Sequence, residues 1–548
     1  MKIRKGNFYR SLLVTVVSLT VMLTSCTDLV DTSYDEIVTR NFEPSGDDVA
    51  SIVGQAYVPW RQLMLGWNGL WRAQEISADQ LVIPARPNGW VDGGVYRQFH
   101  EHRWTADHPI VGTVWSRAYS GITTTNRIIY QIESGDIQIT EGREETLAEL
   151  RVVRASYYYV LLDLYGNVPI VEDFDVPEGF LPEQSSRKEV FDFVVKEIEE
   201  SLPMLSEENN NTTYGRFNKW AAHTLLAKVY LNAEVYTGTP QWDKVIEHTD
   251  AVIDSGAGYL LEPNQKNPFV TENQNSNEII FSIPIDAVYQ DEWNTFDLHL
   301  QTLQPSNAAT YNLQETPWGG ICAIPQFINI YDEDDARYKD NWIKGQQYSS
   351  TGEPIMAQLG AYSGEPLAYI NELPGIDQSE AIHGFRLGKF EIAMGSTNIL
   401  DNDYPLLRYA DVLMMKAEAL LRTDRPDEAA SIVTEIRMRN FDDPTKAEVT
   451  GAELLQGSEY DYGLRNHLEE THEGGNDIKF GRFLDELGRE FAQEGRRRQD
   501  LIRFGVFTTK SWLSHSASQS DEFRKLFPIP SDELNTNSNL TQNPGYLE

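Results

Sequence analysis

The chain has 548 residues, and Asp+Glu 83 against Lys+Arg 46 leaves a formal charge of −37. That balance excludes nucleic acid as a principal partner, because neutralising phosphates requires basic stripes that an acidic chain lacks. With 41% hydrophobic and 11% aromatic residues, the composition is that of a folded protein with a large core and not of a disordered acidic polymer.

The first 25 residues carry Lys2, Arg4, Lys5 and Arg10 but no acid, and lead into the apolar run Leu12–Leu23. The run is too short for a membrane span and reads as a secretory signal. It ends in Leu23-Thr24-Ser25-Cys26, which looks like a bacterial lipobox, so Cys26 is expected to carry the lipid and Cys322 to remain alone, buried and inert. Loss of residues 1–25 would take the charge to 42 − 83 = −41. The mature chain is expected to fold in water and to be held to the membrane by acyl chains, each buried methylene contributing about 0.8 kcal/mol.

A polar lead-in and a short helix occupy residues 27–60. Periodicity then predicts helices over Val114–Ile132 and Glu144–Tyr165, the second with Leu147, Leu150, Tyr157, Leu161 and Leu164 on one face. Ser186 caps a helix carrying Val190, Val194, Ile198 and Leu202, Asn218 caps the next, and Trp242–Ile253 continues the series. From about Gly256 to Tyr404 the periodicity breaks into Gly-, Pro-, Asn- and Gln-rich sequence, with one strand candidate at Glu278–Ile283. Helices return at Ala410–Leu421, Pro426–Arg439 and Phe483–Leu501. Sequential helix pairs with short connections define a mainly α fold, a tetratricopeptide-like scaffold interrupted by a long irregular portion. After the signal at 1–25, residues 26–548 read as one unit. Its scaffold covers about 40–60, 110–255 and 405–548, and loop-rich regions cover about 60–110 and 256–404. Function is expected in those loops.

Several segments resemble one known family. Arg154-Ala155-Ser156-Tyr157-Tyr158-Tyr159 followed by Leu164-Tyr165-Gly166-Asn167-Val168-Pro169-Ile170 is similar to the helix and exit turn of the SusD/RagB family of outer-membrane lipoproteins. Arg216–Leu231, Pro405–Ala419, Arg489–Arg503, Phe527-Pro528-Ile529-Pro530 and Gln542–Tyr546 follow in the family's order. The resemblance implies a tetratricopeptide-like scaffold with an irregular ligand-binding half. It also implies a non-catalytic protein on the cell surface, sitting as a lid over a SusC-like TonB-dependent transporter and capturing oligosaccharide. The RagB branch implies oligopeptide as the alternative nutrient.

Glycan recognition in water needs flat aromatic faces and hydrogen-bonding groups around their edges. Trp60, Trp67, Trp71, Trp90 and Trp104 fall in the first loop-rich region and Trp293, Trp318 and Trp342 in the second, whereas Trp115, Trp220 and Trp242 lie on helices and read as core. The sharpest local feature is Arg86-Pro87-Asn88-Gly89-Trp90, which follows Glu75-Ile76-Ser77-Ala78-Asp79, a stretch similar to the family's approach to its glycan loop. Trp90 is therefore the expected stacking residue, with Arg86, Asn88 and Asp79 as hydroxyl partners. Tyr289, Trp293 and Trp318 are further stacking candidates. The high acidity points to a neutral rather than an anionic polysaccharide.

No motif announces catalysis. Glu490 and Glu494 stand one helical turn apart, but among Arg489, Arg496, Arg497 and Arg498, where salt bridging is the simpler account. Asp411 and Glu418 are expected in an internal polar network. His100 and His102 lack a third zinc ligand at a recognisable spacing. Asp332-Glu333-Asp334-Asp335 could hold a structural calcium, as some family members do, but lacks the glycine and terminal glutamate of an EF-hand loop, so a solvated charge run near Arg337 is the favoured reading and no cofactor is assigned.

Overall fold

A computed structural model describes residues 46–87, 92–289 and 295–547. The signal, Cys26, Asn88, Trp90 and Trp293 lie outside the described residues. The scaffold begins with α1 (Gly46–Leu65), longer than the short helix expected there, and continues through α2 (Pro109–Glu133), α3 (Arg143–Leu164), α4 (Arg187–Ser201), α5 (Lys219–Leu231) and α6 (Trp242–Ile253). Each packs against a sequence neighbour: α1 on α2, α2 on α3, α3 on α4 and α5 on α6. The two N-caps read from sequence are present. Ser186 forms a capping box with Glu189, and the Asn218 side chain accepts from the Ala221 amide at 2.9 Å. The contact between α2 and α3 is close enough that a Cβ at Gly121 would lie 2.4 Å from the Tyr157 ring. Only glycine fits there.

The irregular segment leaves the scaffold after α6 and returns at α7 (Tyr409–Arg422), which packs directly on α6 and then on α8 (Pro426–Met438). The helical stack thus continues across the insertion. Its two ends are held together by an antiparallel ribbon, β1 (Ile279–Ile283) against β2 (Tyr404–Arg408), with Tyr404 opposite Ile283 and Arg408 opposite Ile279. The strand expected at Glu278–Ile283 is therefore the hinge post of the insertion, and all five of its residues are buried.

The helix expected over Phe483–Leu501 is two helices, α9 (Gly481–Phe491) and α10 (Arg497–Arg503). Gln493 and Gly495 between them take positive φ, 70° and 71°. Buried Glu75 accepts from the amides of Gly495 and Arg496 at 2.8 and 3.1 Å, using the free donors at the start of α10. Burial raises its pKa to about 7. The first loop-rich region also contains short helices, Leu70–Glu75 and Val95–His100.

The acids weighed against catalysis in the sequence are buried in ion pairs. Glu490 meets Arg408 at 3.0 Å and Arg439 at 2.7 Å, Glu494 meets Arg408 at 2.8 Å, and Glu486 meets Arg337 at 2.7 Å. Those cations hold Glu490 down to about 2. Glu418 pairs with Arg503 and Asp411 with Arg496, each at contact distance. The acidic run at 332–335 is drawn towards cations: Lys446 reaches Asp332 at 3.3 Å and Asp334 at 2.5 Å, and Asp335 clamps Arg337 at 2.7 Å. Asp332 and Asp334 thus share the Lys446 ammonium and Asp335 faces the Arg337 guanidinium, so cations of the chain itself neutralise this run. Among the described residues no group of three or more His, Cys, Asp or Glu is arranged to hold a metal ion, and no helix is long and apolar enough to cross a membrane.

Candidate functional site

Four of the tryptophans assigned to loops are core residues. Trp60 stacks on Tyr157 with centroids 5.3 Å apart and donates to Ser156 at 3.0 Å. Trp71 donates to the Gln493 carbonyl at 2.9 Å, Trp104 to the Tyr546 hydroxyl at 2.8 Å, and Trp342 packs against Phe327 at 6.1 Å. Their partners are distant in sequence, so a window of local sequence showed no face for them to bury.

Trp67 and Trp318 remain half-buried and meet each other edge to face, centroids 6.0 Å apart at 68°. Trp67 sits in the turn after α1, where Asn68 takes φ 58°. The Arg72 guanidinium lies 4.8 Å over its ring and also donates to the Gly66 carbonyl at 3.1 Å, which fixes the turn. Trp318 is tied by its amide to the Leu300 carbonyl at 2.7 Å, and Gly320 to that of Gln301 at 2.7 Å, so the loop rides on the short helix Leu298–Thr302. At that helix's N-terminal end Asp297 is buried and raised to about 6 by desolvation, partly offset by Arg72. The sequence offered Trp67 only as one loop indole among several. Its flanking Gly66, Asn68 and Gly69 were the available signal.

Arg86 lies beneath this surface, and its role as a ligand partner is corrected. All five guanidinium donors are engaged inside the protein: with the carbonyls of Gly319 (3.0 Å), Gly320 (2.5 Å), His383 (2.9 Å) and Glu380 (3.1 Å) and with the Cys322 sulfur (3.1 Å). It ties the Trp318 loop to the segment around residue 380. Cys322 is fully buried, as expected of it.

Asp79 is corrected more sharply. Its exposure is 0%, its two oxygens take Arg497 Nε at 2.7 Å and Nη2 at 2.9 Å, and Tyr462 donates to it at 2.8 Å. A carboxylate so enclosed has no lone pair to offer a ligand in water. Tyr289 has the opposite character, with 87% exposure. Its backbone is held in a turn in which Asp286 accepts from the amides of Val288 (2.8 Å) and Tyr289 (3.2 Å), and Asp401 accepts from Ala287 at 2.7 Å. The ring is exposed while its base is fixed.

The architecture is a helical-repeat scaffold interrupted by an irregular insertion, with Trp318 of the insertion meeting Trp67 of the turn after α1. The SusD family pattern matches residues 277–546, and a second, described as starch-binding and associating with the outer membrane, matches 48–231. This chain belongs to the SusD/RagB family. It is 26% identical over 496 residues to the starch-binding protein SusD of Bacteroides thetaiotaomicron, covering 83% of this chain and 82% of that one. A solved SusD superfamily protein from Parabacteroides distasonis superposes with TM-score 0.68 at 19% identity, over 92% of this chain and all of the other. A laminarin-binding SusD-like protein gives TM-score 0.68 at 18% identity, with the same coverage.

Proposed function

We propose that the chain is a lipid-anchored, surface-exposed lipoprotein, tethered through Cys26, that captures a neutral oligo- or polysaccharide and delivers it unaltered to a SusC-like TonB-dependent transporter. The observation that carries the glycan reading is the half-buried Trp67–Trp318 pair, braced from below by Arg86 and Arg72. Indoles fixed in this way offer an apolar sugar face a surface whose ordering cost is met on folding. Trp90 and Trp293 extend the proposed aromatic set in sequence, with Asn88 as an edge donor, and Tyr289 adds an exposed ring on a fixed turn. Relatives named for starch and laminarin binding support the substrate class. A non-catalytic role is supported by Glu490 and Glu494, which are held as ions in buried pairs and cannot serve as a proton donor.

The test is electrophoresis of the protein through native gels containing starch, laminarin or a polyuronate. One neutral glycan should retard it, and Trp318→Ala should weaken that retention at least about tenfold, the size of a binding hot spot. Retention unaffected by Trp318→Ala, or calorimetric heat from oligopeptides with no glycan retarding the protein, would replace the glycan reading with the peptide one.

A further inference from the structure

Val168–Pro169 pairs antiparallel with Gln184–Ser185, so residues 170–183 form the loop of a hairpin. A loop of this length without internal helix or strand is uncommon unless it has a task. Both of its feet are fastened. Asn126 donates to the Val171 carbonyl at 2.8 Å, and the Tyr158 hydroxyl accepts from the Val171 amide at 2.7 Å. At the other end Asn539 and Asn537 donate to the carbonyls of Leu181 and Pro182, both at 2.9 Å. Between the feet every residue from Glu172 to Leu181 is exposed.

Among those residues are Phe174 (39% exposed), Val176 (38%), Phe180 (47%) and Leu181 (42%). Single exposed apolar side chains need no explanation, but four on one fastened loop do. Phe174 also meets Tyr130, itself 38% exposed, with centroids 6.0 Å apart, which carries the apolar surface onto the end of α2. Interleaved with them are Glu172, Asp173, Asp175 and Glu178, and there is no Lys or Arg from Val171 to Ser186. Asp173, Asp175 and Glu178 form no ion pair among the described residues, while Glu172 lies 3.7 Å from Arg154.

That pattern selects its occupant by charge. A second copy of this chain, at −37, would be repelled, and so would an anionic lipid surface. The chain's own segment 27–45, with Asp28, Asp31, Asp35, Glu36 and Glu43 against Arg40, carries the same sign. What fits is a protein surface with apolar hollows rimmed by Lys and Arg. We infer that the loop 172–181 is a docking strap for the outer-membrane transporter, whose contacting face carries such a basic rim. This rests on the transporter half of the proposed function.

The test uses the full-length chain in detergent, titrated onto its purified TonB-dependent transporter by surface plasmon resonance at several salt concentrations. Phe174→Ser/Phe180→Ser/Leu181→Ser should weaken binding at least about tenfold. Asp173→Asn/Asp175→Asn/Glu178→Gln should slow association and flatten its salt dependence. Neither should change glycan retardation, and the carboxylate variant should keep the melting temperature while the serine variant loses only what the Phe174–Tyr130 contact contributes. Unchanged transporter affinity in both variants overturns the inference, as does loss of glycan retention in either. Wild-type dimerisation in sedimentation that the serine variant abolishes would assign the strap to a second copy. If the wild type binds glycan but not the transporter, the transporter reading and the strap fall together while the glycan reading stands.

Discussion

Asp79→Asn separates a ligand-contacting carboxylate from a structural one. Asp79 and Arg497 are both essentially unexposed, and the pair is bidentate at 2.7 and 2.9 Å with Tyr462 as a third donor. The substitution keeps volume and shape but leaves the guanidinium without its counter-charge in a site that water does not reach. Breaking a buried pair from one side costs about 3–5 kcal/mol. For a chain of this size the unfolding entropy near the midpoint is about 1 kcal/mol/K, so a two-state transition should drop by roughly 3–5 °C. Calorimetry or urea unfolding reads the loss, and native-gel retardation on the preferred glycan, run well below the midpoint, should be unchanged. Adding Arg497→Met should recover part of the loss, because the second change removes the orphaned charge. A wild-type melting temperature together with lost glycan retention would refute the structural assignment and return Asp79 to the binding site.

Gly495→Ala should cost about 2–4 kcal/mol, because the residue has φ 71° and a Cβ there would lie 2.4 Å from Met64 Cε and 3.1 Å from the Tyr404 hydroxyl; urea unfolding checks it, and a neutral result would mean that the turn between α9 and α10 is freer than described. Acid should destabilise the protein through the buried imidazoles of His100, His102 and His515, the latter two with centroids 3.9 Å apart. Burial lowers His100 to about 4 and the other two well below their ordinary value near 6.5. The unfolded chain therefore binds more protons than the folded one below about pH 6.5, and the stability these groups contribute above that pH is lost as pH falls towards 4. His515→Phe should remove up to about one proton of that slope, about 1.4 kcal/mol per pH unit, in urea midpoints compared between pH 7 and 4.5; an identical acid slope in the variant would show that the cluster does not titrate with unfolding.

The helices were legible because their signals are local. The caps Ser186 and Asn218 act within one or two turns, so a reading along the chain finds them, whereas α3, read as carrying one apolar stripe, is buried on every side from Thr146 to Leu164 apart from half-buried Arg151. So was the location of the irregular portion, whose Gly and Asn content breaks any period. The partners of isolated polar and aromatic groups were not legible. Salt bridging at Glu490 and Glu494 could be anticipated from the neighbouring arginines, but the ion pairs form with Arg408 and Arg439, more than fifty positions away. Asp79 and Arg86 looked like ligand groups because they flank an indole loop, and each is occupied by chain from far downstream.

By itself the sequence determined the fold class and the family, since periodicity, caps and ordered motifs need only neighbours to exert their effect. Only the tertiary structure decided which tryptophans face water and which charges are already paired. It brought Trp67 to Trp318 across 250 residues of chain, and it enclosed Asp79 against Arg497. Burial and pairing depend on distances in space, and along a folded chain those distances are set by packing and not by separation in sequence.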